Sequence, residues 1–75
     1  MTRQEFVDEL AGMLELPGEA IQDGKFLAEL EGWNSMSAIG FIALADAVAG
    51  IAIVPAELAQ CKTVGDLGKL LHIEG

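Results

Sequence analysis

The chain has 75 residues, a net charge of −8 and 52% hydrophobic residues, enough for one small domain held together by apolar packing. That charge disfavours nucleic acid and anionic membranes as partners and favours a basic protein surface. One cysteine, Cys61, excludes an internal disulfide, and Cys61 with the single histidine, His72, is too small a ligand set for structural zinc.

The N-terminus has no basic-then-apolar leader pattern, because Glu5, Asp8 and Glu9 interrupt it. With one thiol, a reducing cytoplasmic compartment is the expectation. Thr2-Arg3-Gln4-Glu5 reads as a capping box that opens a first helix, with Phe6, Leu10, Met13 and Leu14 on one face and Pro17-Gly18 as its stop. Residues 17–34 have no clean period. Phe26, Leu27, Leu30 and Trp33 are apolar enough to pin this long loop to a core, and a loop of that length suggests function.

A second helix is expected from Ser35 to about Val48, closed by Gly50. Its apolar stripe is Met36, Ile39, Ala43 and Ala47, with Ile42 and Ala49 beside it. By that spacing Ser37, Ala38, Gly40, Phe41 and Leu44 face outward. The run from Met36 to Val54 approaches the length of a membrane span, but Asp46 interrupts it and Gly40 and Gly50 punctuate it, so no membrane is expected. Ile51 and Ile53 alternate as in a strand, without a second strand to pair with. Pro55 opens a short helix, and Thr63-Val64-Gly65-Asp66 opens the last, whose buried face is Val64, Leu67, Leu70 and Leu71. The expected architecture is all-α: a single domain over 1–75, a small four-helix bundle with main helices over 2–16, 35–49 and 63–72, a short one over 55–60, and a long loop after the first. Gly12, Gly40, Gly65 and Gly68 fall inside these helices, which implies either a mobile bundle or close helix packing.

A serine at the start of the second helix in "GWNSM" (32–36), the "IAI" at 51–53 and "CKTVGDL" at 61–67 together resemble the acyl carrier protein family. Its members commonly read Trp-Asp-Ser-Leu or Asp-Ser-Leu/Met at the first site and Thr-Val-x-x-Leu at the last. The resemblance covers nearly the whole chain. It implies a monomer whose Ser35 carries 4′-phosphopantetheine, transferred from coenzyme A by a phosphopantetheinyl transferase. The thiol of that arm would hold acyl or aminoacyl groups as thioesters, loaded by a ligase and passed to downstream transferases. An anion on Ser35 would also meet the positive end of the helix and its free N–H groups, favourable by roughly 0.3–1 kcal/mol at an exposed site. Serine is equally a common helix cap, so a carrier-like adaptor that binds partners without a prosthetic group is the alternative.

Two features depart from the family pattern. Asn34 stands where aspartate is usual, keeping a cap-compatible side chain without the charge. Gly40 and Ala47 occupy positions where fatty-acid-type carriers commonly have carboxylates, and Asp46 alone keeps the sign. A neutral, partly apolar partner surface of Asn34, Met36, Ala38, Gly40, Phe41 and Asp46 follows, with Phe41 as its aromatic anchor, suited to a dedicated biosynthetic pathway. No catalytic residues are expected: one histidine and scattered acids assemble neither a nucleophile–base pair nor a metal site. Of twelve carboxylates, eight precede Ser35 (Glu5, Asp8, Glu9, Glu15, Glu19, Asp23, Glu29 and Glu31). They read as a solvated face or as an attraction for basic partners.

Overall fold

A computed structural model describes residues 1–73; residues 74 and 75 of the expected domain lie outside the described residues. The chain is all-α, with no β-strand among the described residues. Helices α1 (Arg3–Leu14), α2 (Ser35–Leu44), α3 (Pro55–Ala59) and α4 (Val64–Leu70) follow the expected order. The Cα radius of gyration is 10.8 Å, close to the value of about 11 Å for a compact domain of this length.

The helix starts follow from local hydrogen-bond chemistry. Glu5 N–H donates to Thr2 Oγ1 at 3.1 Å while Thr2 N–H donates to the Glu5 carboxylate at 2.9 Å, closing the expected capping box. Glu15 ends α1 with a left-handed φ of 57°. Pro55 opens α3, and the Glu57 carboxylate accepts from Val54 N–H at 3.3 Å. At α4, Asp66 N–H donates to Thr63 Oγ1 at 3.2 Å, and the Asp66 carboxylate accepts from Lys62 N–H at 2.9 Å and Thr63 N–H at 3.1 Å. The helix begun by α2 continues as a wider π-helical turn over Ala45–Ala49, and Gly50 closes it with φ 67°.

One core runs through the molecule. Phe6, Leu10, Ala11 and Leu14 come from α1, Phe41 and Ala45 from the second helical segment, and Ile53, Leu58, Val64, Leu67 and Leu71 from the second half. Ile53 points in from an irregular connection, so its alternation with half-buried Ile51 marks a buried loop and not a strand.

The connection between α1 and α2 is ordered by the core and by α4. Ile21, Leu27 and Leu30 are buried and Trp33 is half-buried, whereas Phe26, expected as a pin, is 53% exposed. Phe26 faces out because its backbone lies beside Thr63 in an isolated antiparallel bridge that turns the next residue, Leu27, inward. Three backbone bonds stitch this crossing: Leu27 N–H to the Lys62 carbonyl (2.8 Å), Val64 N–H to Lys25 (3.0 Å) and Gly65 N–H to Asp23 (3.0 Å). A Cβ at residue 65 would lie 3.2 Å from the Asp23 carbonyl oxygen, so the close crossing selects glycine there. Arg3 adds an exposed ion pair to Asp23, a contact worth about 0–1 kcal/mol.

Two backbone N–H groups hold the Asp66 carboxyl below its ordinary value, Lys62 first and Thr63 second. A carboxyl whose folded pKa is depressed stabilises the fold above its unfolded value, and that contribution is lost as pH falls through the folded pKa. Thermal melts taken from pH 7 downward should therefore show a falling midpoint below the ordinary aspartate range. Asp66→Asn should start lower at pH 7 and lose less on acidification. A variant whose acid response parallels the parent would show that the Asp66 cap does not carry this dependence.

Candidate functional site

The segment before α2 is shaped by Gly32, whose φ of +88° turns the chain, and by Trp33, whose N–H donates to the Leu30 carbonyl at 3.2 Å. Asn34, not Ser35, is the N-cap. Its Oδ1 accepts from Met36 N–H at 2.9 Å and Ser37 N–H at 3.1 Å, and its carbonyl accepts the first helical bond from Ala38 N–H at 2.9 Å. Ser35 is the first helical residue. The Ser37 hydroxyl turns back to donate to the Gly32 carbonyl. Ser35 is exposed, and its Oγ has no hydrogen-bond partner among the described residues. The two serines are thus distinct: Ser37 Oγ closes the turn and Ser35 Oγ is available.

This geometry alters the expected electrostatics. The Met36 and Ser37 N–H groups, expected to be free for an anion on Ser35, are held by Asn34 Oδ1. What remains is the positive end of the helix and a cap without formal charge. Aspartate at 34 would place a negative charge beside any phosphate on Ser35.

The largest correction is the rotation of α2. Phe41, expected as an exposed anchor, is fully buried. It meets Phe6 edge-on (centroids 6.4 Å, 81°) and Trp33 edge-on (6.2 Å, 67°). The expected core stripe is outside instead: Met36 is 79% exposed, Ile39 66%, and Ala43 and Ala47 are exposed with them. Ser37, Ala38, Gly40 and Leu44, expected outward, are half-buried. The cause is volume. Every face of α2 is apolar, so the largest side chain, with two aromatic neighbours to meet, takes the core. Of the expected partner surface, Asn34, Met36 and Asp46 are exposed, Ala38 and Gly40 are partly covered and Phe41 is removed; Ile39 joins it.

Ser35 and Asn34 stand on the rim of a cleft of about 440 Å³ between α2 and α3. Its walls are Leu27, Trp33, Ala38, Ile39 and Ile42 on one side and Pro55, Leu58, Ala59 and Cys61 on the other. No charged side chain lines it. Both volume and lining fall within the range of small-molecule sites. Trp33 thereby has two contacts, Phe41 in the core and the cleft wall. Cys61 is half-buried, and burial first, then Asp66 and Glu57, push its thiol up from its ordinary value. A thiol held protonated is a poor nucleophile. No group of three or more metal-ligating side chains occurs among the described residues, and no helix among them is long and apolar enough to cross a membrane.

Compared with known proteins, the chain matches no protein-family model, no curated sequence and no solved structure.

The α2 rotation has a direct energetic signature. Phe-to-Ala in a core typically costs about 3–5 kcal/mol, against a total of roughly 4–11 kcal/mol for a domain of this length. In urea titrations Phe41→Ala should lose about 3–5 kcal/mol of stability. Met36→Ala and Ile39→Ala should stay within about 0.5 kcal/mol of the parent, as exposed positions do. Comparable losses at Met36 and Phe41 would contradict the orientation.

Proposed function

We propose that the chain is a carrier that holds 4′-phosphopantetheine on Ser35 and shuttles acyl thioesters among enzymes. The observation that carries this reading is a free, exposed serine hydroxyl at the start of α2 on the rim of an apolar cleft. An attached arm supplies the reach and the thiol that the protein lacks. The base that activates Ser35 must come from the transferase, because no hydrogen-bonded base accompanies Ser35 Oγ among the described residues. The neutral Asn34 cap and the helix end suit a phosphodiester.

The cleft lining narrows the cargo. An ammonium or carboxylate placed against Leu27, Ile42 and Leu58 would be desolvated without a partner. An aliphatic acyl group gains from burial there, about 0.8 kcal/mol per methylene, whereas an aminoacyl group stays outside. Met36 and Ile39 sit beside Ser35 as apolar contacts for partner enzymes and stand in for the acidic surface of fatty-acid-type carriers. The same exposed pair supports the alternative reading, an adaptor that docks without a prosthetic group.

Incubation with coenzyme A and a broad-specificity phosphopantetheinyl transferase separates the two. Intact mass should rise by one phosphopantetheine in the parent and in Ser37→Ala, and not at all in Ser35→Ala. An unmodified parent across several transferases would contradict the carrier reading and leave the adaptor.

A further inference from the structure

A second groove, of about 500 Å³, runs between α1 and α2 and shares no lining residue with the Ser35 cleft. Met13, Gly40, Ala43 and Ala47 give it an apolar surface, and Asp8 and Glu9 stand along its α1 edge. None of the chain's four Lys and Arg residues lines it. Gly12 lies in it too, and no close packing within the chain requires a glycine there. It is exposed in the last turn of α1, where its carbonyl accepts from Glu15 N–H at 3.3 Å; its φ is not in the left-handed region, and a Cβ there would meet nothing within 4 Å. A glycine inside a helix destabilises it relative to alanine. A Cβ at Gly40 would crowd Met13 Sδ at 3.3 Å and one at Gly65 would crowd Asp23, while Gly68 is buried and a Cβ there would lie in ordinary contact with Phe6 at 3.8 Å. The missing side chain at Gly12 leaves room for something from outside.

We propose that the α1/α2 groove receives a basic amphipathic helix of a partner protein. The small residues let a helix backbone approach closely, and its apolar ridge lies against Met13 and Ala43. Its lysine or arginine side chains reach Asp8 and Glu9. The charge argument favours this occupant over a second copy of the chain, since two chains of −8 would bring the same carboxylates together. The site is separate from Ser35 and operates whether or not Ser35 is modified.

The test uses the Ser35→Ala chain, labelled with nitrogen-15, and two helical peptides with one shared alanine/leucine face, flanked by lysine and arginine in one and by glutamate in the other. The basic peptide should shift amides around Asp8 to Met13 and Gly40 to Ala47, and the acidic one should not. Gly12→Ala should melt higher by roughly 3–8 °C and yet bind at least threefold more weakly, and Gly12→Leu should bind at least tenfold more weakly. Glu9→Gln should cost two- to fivefold at low salt and little at high salt, as for a screened exposed pair. Equal binding of both peptides, shifts confined to Met36, Ile39 or the Ser35 cleft, or a Gly12→Ala variant that binds as well as the parent would overturn the proposal. Self-association that Gly12→Leu abolishes would overturn it in favour of a second copy.

Discussion

Burial of Phe41 is the constraint on which the rest of the molecule depends. Its ring lies between Phe6 of α1 and Trp33 of the long loop, so one side chain ties together the two elements that precede it. A helix has one rotational degree of freedom about its axis, and Phe41 fixes it for α2. Ala45, one turn on, is also fully buried and lets the helix lie close to the core. Once those two point inward, Ser35, Met36, Ile39 and Ala43 must point out. The site before α2 is then defined by what flanks that outward stripe, with an apolar cleft toward α3 and a second groove toward α1.

The long loop belongs to the same arrangement. It buries Ile21, Leu27 and Leu30, crosses α4 through three backbone hydrogen bonds, and delivers Trp33 and Asn34 to the start of α2. Asn34 then fixes the backbone that presents Ser35. The same loop thus touches the start of α4 at one end and forms the start of α2 at the other, although no residue of α4 lines the serine's cleft. The acidic half of the chain is divided among several tasks. Glu5 caps α1, Asp23 pairs with Arg3, and Asp8 and Glu9 edge the α1/α2 groove.

The parts of this structure that were legible in the sequence are those set by near neighbours. Thr2 with Glu5, Thr63 with Asp66, Pro55 and Gly50 each carry their geometry within a few residues, and helices begin or end at them. The all-α class followed from those signals and the apolar spacing. The rotation of α2 was not legible, because Met36, Ile39, Ala43 and Ala47 are as apolar as the residues that went inside. Periodicity finds a stripe but does not say which of two apolar stripes is buried. The decision came from Phe6 and Trp33, one on another helix and one on the loop. Phe26 went the other way for a similarly non-local reason, its pairing with Thr63. Asn34 displaced Ser35 as cap because both residues suit the position, and the Gly32 turn selected the first. The place of Ser35 at the start of α2 was legible, while the cleft beside it needed α3 to be placed.

Phe41 orients α2 so that Ser35 lies beside the α2/α3 cleft, and the central proposal is that this cleft takes the acyl group of an arm carried on Ser35. Nuclear Overhauser spectra of the chain bearing a carbon-13-labelled eight-carbon acyl group on the phosphopantetheine arm test it most directly. The account predicts contacts from the acyl methylenes to the methyl groups of Ala38, Ile42 and Leu58 and to the Trp33 ring, with the Met36 methyl unaffected. Acyl contacts confined to Met36 and Ile39, with Ile42 and Leu58 unchanged, would contradict it.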